Sequence, residues 1–214
     1  VGFTADDVAA AWECVKDAKS PRLQIELPVS TVQMEYTYHL KAEKMIAKVS
    51  ELIKAAKVLC NDVEFSALDA TRADVDFLVA IAKEAVSCGA TAVTICDDAG
   101  VSLPADIASL TETVKAAVNV PVYVQVSDRI SMAVASAIAA IDKGADGLKC
   151  AMAGKDVLMV GALSDAISAC GSKINVKTNI NNTKIHASVD DLLSMISHKA
   201  DETENEISEK KKIR

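Results

Sequence analysis

With 214 residues, the chain can bury one large core but is short for two domains. Aromatic residues make up 3% and the net charge is −7, so it lacks the stacking rings and basic stripe that a nucleic-acid partner requires. No long apolar run and no signal-peptide pattern is present, so no membrane is expected and a cytoplasmic location is. Six cysteines (Cys14, Cys60, Cys88, Cys96, Cys150, Cys170) lack any Cys-x-x-Cys pair and read as reduced thiols rather than a zinc or disulfide framework.

Thr4-Ala5-Asp6-Asp7 has the form of a helix start, and Val8, Trp12 and Val15 follow at helical spacing. Leu23 to Leu27 alternates as a short strand, and Ala42 to Leu59 carries Met45, Ile46, Val49, Leu52 and Ile53 on one helical face. Val63-Glu64-Phe65 is a strand, and Asp74 opens a helix that Gly89 ends, a residue free to adopt the left-handed backbone. Ala92 to Ile95 is the next strand, and Pro104 sits just inside the helix after it, where its missing N–H costs nothing. Val122 to Val126 and Leu148 to Met152 read as strands, Met132 to Ile141 and Val157 to Ala169 as helices, with Gly144 and Gly171 as stops. Ile174-Asn175-Val176-Lys177 reads as a last strand, before a helix from Val189 to Ile196.

Six strands and seven helices in strict alternation mean a parallel sheet covered by helices. An open doubly wound sheet would carry a Gly-rich phosphate turn, and neither G-x-G-x-x-G nor a Walker loop occurs. Polar residues instead fall at the apparent carboxyl ends of strands: Glu64 and Ser66, Asp97 and Asp98, Gln125 and Ser127. That pattern favours a parallel (β/α)8 TIM barrel, whose site is assembled at that rim. The barrel is expected to be incomplete at its N-terminus, because the chain opens with Val1 and a helix, leaving strand, helix, strand unaccounted for. The barrel domain is assigned to 1–198 and a charged tail to 199–214.

Several runs resemble the 2-isopropylmalate synthase and homocitrate synthase family of metal-dependent Claisen-condensing barrels. They are Gln33-Met34-Glu35-Tyr36, Asp62-Val63-Glu64-Phe65-Ser66 with Asp69-Ala70-Thr71-Arg72, and Ala133-Val134-Ala135 with Gly144-Ala145. The resemblance extends from about Ala11 to about Ile196. It implies an acyltransferase that condenses acetyl-CoA with a 2-oxo acid, using a divalent metal as Lewis acid. Where the family carries His-x-His-Asn-Asp, this chain reads Gln125-Val126-Ser127-Asp128-Arg129, and two neutral oxygen donors replace imidazoles poorly. The family's Gly-x-Gly-Glu-Arg-x-Gly-Asn loop has become Gly154 to Gly161 without its Glu, Arg and Asn. This is a divergent member, and no metal ligand or cofactor is evident within the chain.

The resemblance makes Glu64 and Asp97 the candidate catalytic residues, and Gln24, Glu26, Lys149, Gln125 and Ser127 the candidate substrate-binding ones. Lys149 stands where the family has a Glu, so it and Glu64 are expected to pair if both face the interior, since an unpaired buried charge is costly. A Schiff base on Lys149 is the lesser alternative. His39, His186 and His198 lack ligand spacing and read as surface or structural residues. Expected partners are a small carboxylate or 2-oxo acid and a second subunit, either a copy or a related synthase. The alternative function is a non-catalytic paralogue that regulates an active synthase.

Overall fold

The computed structural model describes residues 2–176 and 179–196. They divide into two compact units, one ending at Lys149 and one beginning at Cys150.

In the first unit, Thr4 and Asp7 close a capping box at the start of α1 (Ala5–Val15): the Thr4 N–H donates to Asp7 Oδ2 at 2.8 Å and the Asp7 N–H to Thr4 Oγ1 at 3.2 Å. Four strand–helix steps follow: β1 (Leu23–Pro28) and α2 (Ala42–Leu59), β2 (Val63–Leu68) and α3 (Val75–Ser87), β3 (Ala92–Asp97) and α4 (Pro104–Ala117), β4 (Val122–Val126) and α5 (Ala133–Asp142). The short β5 (Gly147–Lys149) ends the unit. Asp74 caps α3 by accepting from the Phe77 N–H at 2.9 Å, and Pro104 occupies the first turn of α4.

All pairings are parallel, and the strands lie in sequence order β1-β2-β3-β4-β5. A doubly wound sheet reverses its strand order at a switch point. An unbroken sequential order with a helix after every strand is the arrangement of a parallel (β/α) TIM barrel. Register and alternation divide the side chains into two faces. Leu23, Ile25, Leu27, Val63, Phe65, Ala67, Val93, Ile95, Val122 and Val124 are fully buried. They form the face covered by α2 to α5, where Met45, Leu52, Ile53, Leu78, Ile81, Ile107 and Val114 are also buried. Each large aliphatic or aromatic side chain removed from water in this layer contributes about 1.5–3 kcal/mol. The other face carries Gln24, Glu26, Glu64, Ser66, Thr94, Cys96, Tyr123, Gln125, Gly147 and Lys149, and is the candidate site.

A π-helix over Val32–Thr37, unanticipated by the sequence reading, follows β1, and Tyr38 beyond it stacks on Phe3 at 4.9 Å. No helix of the described residues is long and apolar enough to cross a membrane.

The second unit differs more from expectation. The strand expected over Leu148 to Met152 is only Gly147–Lys149 within the first unit, and Ala151 forms an isolated parallel bridge with Met159. α6 runs Val160–Cys170, starting later than expected because Ala151 to Met159 is spent on that bridge. Gly171 does not stop the chain in a left-handed turn; it leads into a 3-10 turn, Gly171–Ile174, and Asn175 takes the left-handed conformation at φ 55°. The predicted strand at Ile174 is therefore a turn over its described residues, and its Lys177 lies outside them. The last helix covers 182–196, beginning well before Val189. His186 on it faces Asp165 of α6 at 3.0 Å. The 199–214 tail and His198 lie outside the described residues.

Candidate functional site on the inner face

The polar face is built around one carboxylate. Glu64 is 2% exposed and is the second residue of β2, so it lies near the amino end of its strand rather than at the carboxyl rim where the sequence reading put it. Its Oε1 accepts from Thr94 Oγ1 at 2.6 Å, from Ser66 Oγ at 3.0 Å and from the Lys149 ammonium. Its Oε2 accepts from Arg22 Nη1 at 3.2 Å. A carboxylate offers about four lone-pair directions, and these four donors use them. Burial opposes the charge on Glu64, but hydrogen bonds from Lys149 and Thr94 outweigh it and hold the carboxyl below its ordinary value.

Arg22 also donates to Asp62 at 2.8 Å and lies 5.6 Å over the Tyr123 ring. A Cβ on Gly147 would come 2.9 Å from Tyr123 Cδ1, so the ring lies against β5 because that position has no side chain. Gln24 Nε2 donates to Glu26 Oε1 at 2.6 Å and to Ser66 Oγ at 3.0 Å. Gln125 and Lys149 are in-register neighbours, and Ser127 continues that side of β4. The Gln125 amide and the Ser127 hydroxyl make no side-chain hydrogen bond among the described residues. Cys96 is the neighbour of Gln125 on β3, and burial pushes its thiol up, so it is no ready nucleophile.

Asp97 belongs to a different arrangement. Its Oδ1 accepts from Thr71 Oγ1 at 2.8 Å, the Gly100 N–H at 3.2 Å and Ser102 Oγ at 3.3 Å, which shapes the loop after β3. Gly100 is held at φ +64°, and a Cβ there would come 2.9 Å from the Ser127 Cβ, so this loop closes directly on the end of β4. Asp69 is fully buried with φ 57°, gripped by Arg72 Nε and Nη2 at 2.7 and 2.6 Å, and bonded by Ser30 Oγ. The Asp69 N–H donates to Asp98 at 2.7 Å. The Asp69-Ala70-Thr71-Arg72 run thus ties the ends of β1, β2 and β3 together. Burial, joined by repulsion from Asp69, Asp97 and Glu26, pushes the Asp98 carboxyl up.

The structure brings together Glu64, Lys149, Gln24 and Glu26 in one hydrogen-bonded set, with Gln125 and Ser127 beside it, and leaves Asp97 in the loop anchor. Arg22, Thr94 and Tyr123 escaped the sequence reading. The alternation Arg22-x-Gln24-x-Glu26 carried a signal for the first of them.

These residues do not fit a divalent cation of the kind the resemblance implies. Gln125 and Ser127 are neutral, Glu64 has its lone pairs engaged, and Lys149 brings a fixed positive charge onto the same face. Among the described residues no group of three or more His, Cys, Asp or Glu side chains is placed to hold a metal ion.

Residues 1–191 match the HMGL-like family. The 2-isopropylmalate synthase of Carboxydothermus hydrogenoformans is 34% identical over 155 residues, covering 71% of this chain and 30% of that protein. That of Campylobacter hominis is 30% identical over 196 residues, covering 86% of this chain and 39% of that protein. The chain therefore spans about a third of the length of the curated relatives it matches. The HMG-CoA lyase structure from Brucella melitensis superposes with a TM-score of 0.71 at 13% identity, covering 86% of this chain and 70% of that one, a likeness of fold. With the match running through nearly all described residues, the chain belongs to the 2-isopropylmalate synthase/HMGL-like family.

Proposed function

We propose that the protein condenses acetyl-CoA with a 2-oxo acid in the manner of a 2-isopropylmalate or homocitrate synthase, with an altered or degenerate metal site. The observation that carries this reading is the family match over residues 1–191, coupled with a strand face lined by polar side chains instead of the usual packed aliphatic layers. In the reaction the methyl carbon of acetyl-CoA loses a proton and bonds to the 2-oxo carbonyl carbon, and the resulting alkoxide takes up a proton. Water then cleaves the thioester and frees CoA. Lys149, Gln125 and Ser127 donate hydrogen bonds to the 2-oxo acid, Gln24 and Glu26 line its approach, Glu64 positions Lys149, and Asp97 shapes the loop over the rim. The protein acts in the cytoplasm, where its six cysteines stay as the free thiols seen here, and it works as a homo-oligomer or beside a related synthase. The test is thiol release from acetyl-CoA by the full-length protein against a panel of 2-oxo acids. CoA set free with one of them is expected, and none with any would overturn the assignment.

One observation favours a second reading. Both candidate catalytic carboxylates are engaged by internal donors, Glu64 through both oxygens and Asp97 through Oδ1. A non-catalytic paralogue that regulates an active synthase would keep such a scaffold. It predicts co-purification with an intact synthase, and a lone protein that binds no ligand would count against it.

A further inference from the structure

The misfit between this face and a divalent cation has a counterpart in what the face does offer. Lys149 closes β5 with its side chain 27% exposed, so it is both held and reachable. Among the described residues it has one acceptor, Glu64 Oε1, while an ammonium has three N–H donors. Gln125 sits next to it on the neighbouring strand, about 4.8 Å away across the ladder, and Ser127 is two residues further along. An ammonium, a carboxamide and a hydroxyl therefore stand in sequence on one wall with donors to give. Glu64 takes only part of what this wall offers: its other oxygen accepts from Arg22, which also pairs with Asp62, and the remaining Lys149 N–H donors stay directed at the wall. Elsewhere on the face the sign reverses. Glu26 is exposed on β1 and Asp98 directly follows β3, so a second negative charge on a ligand would meet both.

We infer that this face seats a monoanionic 2-oxo acid without any divalent cation, the Lys149 ammonium supplying the fixed positive charge beside its carboxylate and carbonyl oxygens. The inference rests on the reading above that the chain handles a 2-oxo acid, and deepens it by naming the charge that holds the substrate. A charge-assisted hydrogen bond to a carboxylate gives direction as well as attraction, and its site needs no metal uptake. Glu64 is a positioning residue for Lys149: it holds the ammonium against the wall. The ion-paired Lys149 presents N–H donors to the ligand.

The experiment is calorimetric titration of the full-length protein with pyruvate in EDTA, repeated with 2-oxoglutarate, with Lys149→Met, and with the double variant Glu64→Gln/Lys149→Met. The double variant removes both charges, so it leaves no orphaned carboxylate to unfold the barrel. The expected result is saturable pyruvate binding in EDTA, weaker binding of 2-oxoglutarate, and a loss of about tenfold to a hundredfold in affinity in both variants. Binding that appears only after Mg²⁺ or Mn²⁺ is added, or that persists in the folded double variant, overturns the role of Lys149 and leaves the 2-oxo acid reading standing. No binding of either acid, with or without metal, overturns that reading as well.

Discussion

The Lys149 ammonium is ion-paired with Glu64, a residue 85 positions earlier in the chain, across three strand pairings of the inner face. Because Glu64 is 2% exposed, removing the ammonium leaves a buried carboxylate short of one of its donors. Lys149→Met should lower stability by about 3 kcal/mol in a urea titration. Glu64→Gln/Lys149→Met should recover more than half of that loss, because no buried charge is stranded. Additive losses would show that the two side chains do not interact.

The same carboxylate sets an acid limb. The Glu64 pKa lies below its unfolded value, so the unfolded chain binds the proton first. Its stabilising contribution is complete above the unfolded carboxylate pKa and is lost as pH falls through the folded one. Glu64→Gln should therefore flatten the decline of stability between pH 5 and pH 2, measured by thermal melts across that range. An acid limb of unchanged slope would contradict the account.

Asp98 works in the opposite sense. Its folded pKa is raised by burial and by Asp69, Asp97 and Glu26, so the folded state holds its proton longer than the unfolded chain does. Stability from this group is present below its unfolded pKa and falls as pH rises through the folded one. Asp98→Asn keeps an oxygen to accept the Asp69 N–H and removes the repulsion. It should melt higher than the parent at pH 7, with the advantage shrinking toward pH 3. A variant that melts lower at pH 7 would mean that the Asp98 charge is needed.

Much of this arrangement was legible beforehand. Alternation and helical spacing located β1 to β4 and α1 to α5, because those strands bury one face under amphipathic helices and the two periods differ. The Glu64–Lys149 pair was legible too, since opposite charges on two inward strands have few other partners. Other features were not. The depth of Glu64 depends on where β2 begins relative to β1 and β3, and register is a tertiary property. Ile174-Asn175-Val176 imitates a strand in composition, yet Asn175 tolerates the left-handed turn that follows the 3-10 winding. The role of Asp69 was hidden as well. A non-glycine residue at φ 57° is held there by Arg72 and Ser30, and local sequence does not announce such a constraint.

Tyr123 and Gly147 give a steric test of the inner face. Gly147→Ala places a methyl 2.9 Å from Tyr123 Cδ1, which forces the ring off its seat beside Arg22. The cost should be about 2 kcal/mol in the parent and clearly less in a Tyr123→Leu background, where a smaller side chain can yield. Equal costs in both backgrounds would show that the ring is not what Gly147 accommodates.

On the reading proposed above, the inner face meets its ligand with its own fixed charge. The most direct measurement is a calorimetric titration of the metal-free full-length protein with Mn²⁺, Mg²⁺ and Zn²⁺ in turn. No saturable one-to-one binding of any of the three is expected, in the parent and in Gln125→Ala alike. Stoichiometric binding that Gln125→Ala or Ser127→Ala abolishes would contradict it, and would mean that these two residues hold a cation after all.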